Sequence, residues 1–235
     1  MSFRCLYHIH TRCSFDSFLS PEKVIAIARR MQIDVLIVTD HNTIQGSRDA
    51  QRLACGNPSI VVTAAEYQSE KGDIIGLFLK EEIQSRRSHD IIQQIHAQGG
   101  LMVLPHPYKG HVLDEELLAG ADLIESYNAR CSESDNSRAH QLALERHRPY
   151  LAGADAHCSL ELTAAVNEFL ADVPKDESGL REHLLRAPRQ ITMRRASPLC
   201  RPYSQMIKSI KTKDPKLFLY QAKRLALGFA RGELR

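Results

Sequence analysis

Residues 3–16 read FRCLYHIHTRCSFD, an apolar run that leads directly into a pair of histidines and then an aspartate. The run Phe3–Tyr7 predicts a buried strand. His8 and His10 are two positions apart, so on an extended chain both side chains project to the same face and can bind one cation together. Asp16 follows closely enough to join them. Many His-x-His pairs bind nothing, so the rest of the chain decides between a metal site and two ordinary histidines.

The same arrangement recurs along the chain, with a potential metal ligand after one apolar run after another. These residues are Asp40 and His41 after Val35–Thr39, Glu66 after Ile60–Ala65, His106 after Leu101–Pro105, and Asp155 with His157 after Tyr150–Gly153. Loops at the carboxyl ends of parallel barrel strands converge on one face, so distant residues can meet there. Glu66 can bridge two ions through separate oxygens. The recurrence predicts a centre with two or more metal ions, in which Asp40 either ligates or orients a histidine from behind.

Around these ligands, the pattern of apolar residues predicts strands that alternate with helices. The predicted strands are Phe3–Tyr7, Val35–Thr39, Ile60–Ala64, Ile74–Leu79, Leu101–Leu104, Asp122–Tyr127, Tyr150–Ala152 and Ala164–Leu170. The predicted helices are Pro21–Met31, Thr43–Leu53, Ser88–Ala97 and Glu133–Arg146, with Ser20 and Ser88 as capping residues and a turn at residues 56–58. We expect an α/β fold in which about seven strands form a closed or nearly closed barrel.

The composition is ordinary for a globular protein, since 43% of the 235 residues are hydrophobic and 25% are charged. No apolar run approaches the roughly 20 residues of a membrane span, and the first residues do not resemble a signal peptide. We therefore expect a soluble, cytoplasmic protein with one domain over residues 1–197. The six cysteines form no CxxC pair, so reduced thiols are expected.

Residues 198–235 form a basic extension of different character. Residues 201–235 hold nine Lys and Arg against two Asp and Glu, whereas the first two hundred residues hold 22 against 26. Tyr203–Ile210 and Pro215–Ala230 predict two helices. We expect their apolar stripe to pack on the barrel and their lysines to be solvated. Contact with nucleic acid or with an anionic membrane surface is the alternative.

The ligand stretches together resemble the successive motifs of the PHP superfamily, the polymerase-and-histidinol-phosphatase metal-dependent phosphoesterases. The similar stretches are YHIHTRCSFDS, VTDHNTIQG, AAEYQSEKGDIIGLFLKEEI, QGGLMVLPHPY, IESYNAR and GADAHCSLEL. They occur in the family's order and cover about residues 3–170. The resemblance implies a distorted barrel of seven strands, two or three Mn, Fe, Zn or Mg ions at its carboxyl-end face, and hydrolysis of phosphate esters.

The resemblance also implies a distribution of ligands. His8, His10, Glu66 and Asp155 would hold one ion, Glu66 and His106 a second, and Asp16, His41 and His157 a third. Asp73 departs from the family pattern, because trinuclear relatives often place a histidine at this point of the motif. Asp73 either ligates a hard cation or sits in a turn after Gly72, so the second site is expected to be weaker, harder in preference or empty.

The expected reaction is in-line attack of a metal-activated hydroxide on phosphorus, with no protein nucleophile. Arg130 follows a predicted strand and could bind phosphate with its bidentate fork, with Asn128 beside it. The substrate would be a small phosphorylated metabolite, a nucleotide or a short oligonucleotide. One alternative is a non-catalytic PHP module that binds a partner through its basic tail. Another is hydrolysis of a non-phosphate bond, as in amidohydrolase-like barrels.

Overall fold

The structure is a computed structural model that describes residues 1–54, 56 and 58–231, and within them the chain forms ten strands and eight helices. The strands are β1 (Phe3–Tyr7), β2 (Val35–Ile37), β3 (Ile60–Val62), β4 (Ala64–Ser69), β5 (Gly72–Leu77), β6 (Leu101–Leu104), β7 (Leu123–Asn128), β8 (Tyr150–Gly153), β9 (Ala165–Phe169) and β10 (Arg189–Met193). The helices are α1 (Pro21–Arg30), α2 (Gln45–Leu53), α3 (Ser88–Ala97), α4 (Glu115–Gly120), α5 (Glu133–Glu145), α6 (Glu177–Arg186), α7 (Cys200–Lys211) and α8 (Pro215–Ala230). Three parts of the chain lie outside the described residues: Cys55, Asn57 of the predicted turn at 56–58, and residues 232–235 of the tail.

The strands form two five-stranded sheets, in the orders β10-β9-β1-β2-β3 and β4-β5-β6-β7-β8. The neighbours β1-β2-β3 and β6-β7-β8 are parallel, and the remaining pairs are antiparallel. The expected α/β fold is present, and within the described residues the strands pair as two sheets rather than as one continuous closed sheet. Between Ser69 and Gly72 only two residues join β4 to β5, and such a link permits only an antiparallel hairpin, because parallel pairing needs a crossover of about a dozen residues.

Backbone hydrogen bonds connect the two sheets just beyond the carboxyl ends of β1, β2 and β8. The Ala156 N–H donates to the His8 carbonyl over 3.1 Å, and the His10 N–H donates to the Ala156 carbonyl over 2.8 Å. On the other side, the Glu66 N–H donates to the Asp40 carbonyl over 3.1 Å. These bonds place the segments that carry the predicted ligands against one another.

Helix ends follow the sequence signals at one predicted cap and not at the other. Ser20 caps α1, accepting a hydrogen bond from the Lys23 N–H, with Pro21 at the first helical position as predicted. Ser88 does not cap α3. Its hydroxyl instead donates to Glu70, whose carboxylate also accepts from the Ser88 N–H and so takes the role of the cap.

The C-terminal helices pack on each other, and α7 also contacts the loops at the strand ends. Ser204 of α7 accepts a hydrogen bond from Arg130 over 3.0 Å, and Lys211 donates to three carbonyls of the loop after β1. Among the described residues, no helix combines the length and the apolar character needed to cross a bilayer. The five described cysteines are free thiols.

Candidate metal centre

Eight of the nine predicted ligands converge at the carboxyl ends of the strands. They are His8, His10, Asp16, His41, Glu66, His106, Asp155 and His157. Seven of these side chains are buried, and His41 is nearly so. Three groups of closely spaced ligand atoms overlap at His8 and His10: His10 with Asp16, His41 and His157; His8 with Glu66 and His106; and His8 with His10 and Asp155. Glu66 also lies 3.4 Å from His10 and 3.2 Å from His41.

The first set surrounds a point between His8, His10, Glu66 and Asp155. Nε2 of His8 lies 3.4 Å from Glu66 Oε1, and Nε2 of His10 lies 3.4 Å from Glu66 Oε2 and 3.5 Å from Asp155 Oδ1. Two ligands about 2.1 Å from one ion at a tetrahedral angle lie about 3.4 Å apart. The spacing therefore matches ligand atoms around a common ion.

The second set pairs Glu66 with His106, and Nε2 of His106 lies 3.1 Å from Glu66 Oε1. Asp73 lines a cavity above this set but belongs to none of the ligand groups found among the described residues. Burial and the neighbouring Glu66 raise the pKa of Asp73. His111 donates through Nε2 to the Asp73 carbonyl over 2.8 Å, which fixes the backbone rather than the carboxylate.

The third set brings Asp16 between two histidines. Nε2 of His157 lies 3.0 Å from Asp16 Oδ2, and Nε2 of His41 lies 3.6 Å from the same oxygen. Nδ1 of His157 donates to the Asp155 carbonyl over 2.9 Å, which leaves Nε2 unprotonated in the neutral ring and turned toward Asp16. The ring of Phe15 stacks on His41 at 4.6 Å between centroids.

Several buried polar atoms at this point have no hydrogen-bond partner among the described residues. They are Nε2 of His8, Nε2 of His10, Oδ1 of Asp16 and Nδ1 of His41. Leaving a buried polar atom unsatisfied costs about 1–3 kcal/mol, so four of them together call for an external group. Imidazole nitrogens and carboxylates are ligands of Zn, Fe and Mn, and the residues present therefore fit divalent ions.

A buried carboxylate that sequence reasoning missed holds two of the ligands. The Nδ1–H of His8 donates to Oε1 of Glu125 over 2.7 Å, which directs Nε2 into the cluster. Oε2 of Glu125 accepts from the His106 N–H over 2.7 Å and from the Asn128 amide over 3.0 Å. Gly153 leaves room for this group, since a Cβ there would lie 1.7 Å from Oε1. A charged residue in the middle of the predicted strand Asp122–Tyr127 was the available signal.

Asp40 supports the cluster from behind, which is one of the two roles left open by the sequence. Its carboxylate accepts hydrogen bonds from the Thr11 N–H and hydroxyl and from the Ser14 hydroxyl, over 2.5 to 2.7 Å. Oγ of Ser14 lies 3.2 Å from Nδ1 of His10, so Asp40 acts on that ligand through Ser14. A Cβ at Gly46 would collide with the Asp40 carboxylate.

Histidines of the centre differ in the direction in which their surroundings shift the pKa. Burial lowers the pKa of His8, but Glu125, Glu66 and Asp155 together raise it well above its ordinary value. Burial and the neighbouring histidines instead lower the pKa of His10 to about 3. Burial opposes ionisation of Glu66, yet the nearby histidines hold its pKa well below the usual range. The centre therefore offers ionised carboxylates, and some of its histidines carry protons that a metal ion must displace.

The residues expected to bind substrate have other partners. The Arg130 guanidinium makes a bidentate pair with Glu161, at 2.6 and 2.8 Å, and its outer nitrogens donate to α7. The fork that was expected to face phosphate is therefore occupied. Asn128 donates to Glu125 and, over 3.3 Å, to Oδ2 of Asp155, so it positions a ligand. Lys109 donates to the same Asp155 oxygen over 3.0 Å.

A cavity of about 170 Å³ opens over the cluster and is hereafter called the cluster cavity. Besides six of the eight converging ligands, it is lined by Asp73, Lys109, Arg130, Phe15 and Gln68 and by three side chains of α7, Arg201, Gln205 and Lys208. Sequence reasoning missed the α7 residues, because a basic helix far along the chain gave no indication of where it would dock.

Comparison with known proteins supports the family resemblance. The family model described as PHP-associated matches residues 133–187, a segment that includes Asp155 and His157. The uncharacterized protein MJ1587 of Methanocaldococcus jannaschii is 38% identical over 112 residues, which cover 43% of this chain and 66% of that protein. MJ0417 of the same organism is 31% identical over 123 residues, which cover 47% of this chain and 52% of that protein. The matched segments thus span between about half and two thirds of these relatives.

Solved structures share the fold at low sequence identity. A two-domain protein from Bacteroides vulgatus that contains a predicted PHP-like metal-dependent phosphoesterase has a TM-score of 0.69 at 16% identity, covering 83% of this chain and 65% of its own. An amidohydrolase from Chromobacterium violaceum with bound sulfate and no metal has a TM-score of 0.58 at 16% identity, covering 72% of this chain and 92% of its own. The predicted resemblance to the PHP superfamily is confirmed, since the chain carries a PHP-associated region and has the α/β fold of PHP-like metal-dependent phosphoesterases.

Proposed function

We propose that this chain is a metal-dependent phosphoesterase that hydrolyses a small phosphorylated metabolite, a nucleotide or a short oligonucleotide. One observation carries the proposal: eight histidine and carboxylate side chains meet at one point, and buried ligand atoms there lack partners. The cluster lies under an open cavity, as a catalytic centre requires and a purely structural metal site does not. The two sheets and the bonds that connect them would then form the distorted barrel of the family.

In this proposal the protein's residues hold and orient two or three Mn, Fe, Zn or Mg ions. Glu66 lies between the three ligand sets and contacts histidines of each, so its two oxygens can serve more than one ion. When bound, such ions lower the pKa of water and offset the negative charge that develops on a phosphoryl group. Asp73, at the cavity wall beside Glu66, is the proposed additional ligand of the second set.

The cavity wall also offers positive charge for an anionic substrate. Lys109 keeps an exposed fraction of 33% while it contacts Asp155, and Asp155 raises its pKa against the effect of burial. The related Chromobacterium violaceum structure holds sulfate, a tetrahedral oxyanion of the same shape as phosphate. Because that protein is named an amidohydrolase, hydrolysis of an amide at a similar cluster is the second candidate.

Metal analysis combined with a substrate panel tests the proposal. The full chain is purified without chelator, its bound metals are counted, and it is assayed with Mn²⁺ on phosphate monoesters, phosphate diesters and cyclic amides. We expect two or three ions per chain and cleavage of at least one phosphate ester. Amide cleavage without ester cleavage would establish the second candidate instead. Bound metal without cleavage of any substrate would favour the non-catalytic module, and a chain that binds no metal would overturn the proposal.

A further inference from the structure

One face of α7 forms a wall of the cluster cavity. Arg201, Gln205 and Lys208 follow one another at intervals of four and three residues, which places them on the same side of a helix. All three line the cavity together with ligands of the metal centre. The wall therefore belongs to the candidate site, although it comes from the segment predicted as an appendage.

Specific contacts fix α7 in this position. Arg130 donates to Ser204 over 3.0 Å and to the Cys200 carbonyl over 3.4 Å, and it is itself held by Glu161. At the other end of the helix, Lys211 donates to three loop carbonyls at 2.6 to 2.8 Å. Gln205 and Lys208, between these two anchors, consequently face the cavity in a defined register.

The four cations that line the cavity differ in their partners. Lys109 is paired with Asp155, and Arg130 is paired with Glu161. Arg201 and Lys208 make no ion pair with any carboxylate among the described residues, although both can reach the cavity. The ammonium of Lys208 lies 4.8 Å from the ring centroid of Phe15, the ring that stacks on His41. Two positive charges beside the cluster are thus left for a ligand.

Together these observations indicate a second anion subsite, and the inference rests on the proposed function. We infer that Arg201 and Lys208 bind a second phosphate group of the substrate, while the metal centre holds the phosphate that is cleaved. Two cationic side chains match the charge of a phosphate, which is close to −2 at neutral pH, better than that of a carboxylate. Gln205, between them, can donate a further hydrogen bond. The substrate class is then an organic bisphosphate rather than a simple monoester.

A matched series of substrates tests the subsite. Butyl phosphate, 4-carboxybutyl phosphate and butane-1,4-diol bisphosphate share an alkyl chain and differ in their second group. We expect the metal-loaded full chain to show a kcat/KM about tenfold or more higher for the bisphosphate than for butyl phosphate, with the carboxylate between them. Equal values for the bisphosphate and butyl phosphate would overturn the inference, and a preference for the carboxylate would reassign the subsite to that anion.

Variants of α7 then assign the preference to its side chains. In the double variant Arg201→Gln/Lys208→Met we expect KM for the bisphosphate to rise about tenfold, with kcat and metal content unchanged and butyl phosphate turnover within about twofold. Lys223→Met, an exposed lysine of α8, is the matched control. An equal loss for both substrates would show that α7 contacts the cleaved phosphate, and an unchanged KM would show that these cations are merely solvated. Either result overturns the second subsite.

A binding measurement separates this inference from the proposed function. Calorimetry with butane-1,4-bisphosphonate, which cannot be hydrolysed as an ester, reports on the subsite without catalysis. If the double variant weakens this binding about tenfold but no ester is ever cleaved, the subsite stands and the phosphoesterase proposal fails. If esters are cleaved and the bisphosphonate binds both proteins equally, the phosphoesterase stands and the subsite fails.

Discussion

The two sides of the cluster cavity are built on different principles. On the strand-end side, His8, His10 and His157 each have their second ring nitrogen in contact with another polar group, so their orientation is fixed before any ion arrives. On the α7 side, Arg201 and Lys208 extend from a regular helix and have no carboxylate partner among the described residues. The strand-end side is therefore held rigidly, as the proposed metal ions require, whereas the α7 side keeps the freedom to adapt to the proposed substrate.

Strained backbone conformations are a second feature of the strand-end side. His8, His106 and Asp155 have left-handed φ angles of 65°, 27° and 47°, which residues with a side chain seldom adopt. Such strain costs on the order of 1–3 kcal/mol per residue and persists only where the surroundings enforce it. The bonds from Glu125 to His8 and to the His106 N–H are part of that enforcement. The fold therefore gives up stability on the strand-end side to aim its ligands.

The largest expected effect comes from removing a ligand on the strand-end side. In His10→Ala, the ring that contacts both Glu66 and Asp155 is lost, so we expect metal content to fall by at least one ion. Ester hydrolysis should fall about a thousandfold, at the upper end of what one electrostatic group supplies. Metal analysis and kcat/KM measure both effects. His89→Ala is the control, because His89 is half exposed and contacts Glu116 on the surface. Wild-type turnover in His10→Ala would refute the assignment of the cluster.

A smaller effect is expected from the group behind the ligands. In Glu125→Gln, one carboxylate oxygen becomes an amide NH₂, which donates, so the single remaining oxygen can accept from His8 or from the His106 N–H but not from both. We expect metal affinity and activity to fall about 10- to 100-fold, as for other groups that orient a ligand. Competition with a metal indicator measures the affinity. Glu168→Gln, whose carboxylate accepts a hydrogen bond from the Ser2 hydroxyl at the surface, should leave it unchanged. If the two variants behave alike, Glu125 does not position the ligands.

The sequence predicted the strand-end side because its signals are local. A spacing of two residues places His8 and His10 on one face of a strand, and apolar runs announce the strand ends where His41, Glu66 and His106 follow. Glu125 escaped this reasoning, because a charged residue within a strand normally faces solvent. Nothing in the sequence near Glu125 indicates that Gly153, a residue on the next strand, leaves space for its carboxylate.

The α7 side could not be predicted, because its role depends on contacts between distant segments. The sequence predicted a helix only from Tyr203 and expected its lysines, Lys208 among them, to be solvated. In the structure α7 begins at Cys200 and so also carries Arg201, and no local pattern indicates what this helix contacts. The decisive partner of Lys211 is a loop almost two hundred residues earlier in the chain. Likewise, nothing in the sequence indicated that the Arg130 guanidinium, expected to bind phosphate, would pair with Glu161. The pairing of the strands into two sheets also depends on such distant contacts.

The pH dependence of metal binding shows whether a ligand must lose a proton before it can bind an ion. Burial lowers the pKa of His41, but Glu66 and Asp16 outweigh it and raise the pKa from 6.5 to about 9. The metal-free protein therefore holds a proton there at neutral pH, and an ion must displace it. We expect the affinity of the third ligand set to rise about tenfold per pH unit up to about pH 9.

The same raised pKa stabilises the metal-free fold below about pH 6.5, and this contribution is lost as the pH rises through about 9. Calorimetric titration in buffers of different ionisation enthalpy measures the released proton, and His41→Gln is the comparison protein. A wild-type affinity that does not change with pH, or a dependence that persists in His41→Gln, would contradict this assignment.

The smallest effect is expected where α7 is anchored to the loop that carries Asp16. The Lys211 ammonium donates to the carbonyls of Arg12, Ser14 and Ser17, which flank that ligand. In Lys211→Met these carbonyls lose a charged donor, so we expect the free energy of unfolding to fall by about 1–3 kcal/mol. Activity should fall only a few-fold, since Asp16 remains present but is less firmly held.

Denaturant unfolding and metal affinity, measured on the same preparations, separate the two contributions. Lys223→Met, on the exposed face of α8, should match the wild type in both measurements. If Lys211→Met were destabilised but kept full affinity at the third ligand set, the anchor would serve the fold alone. If metal affinity falls together with stability, then α7 also helps to hold Asp16 on the strand-end side. The two sides of the cavity would then share this anchor and differ only in the side chains that they present.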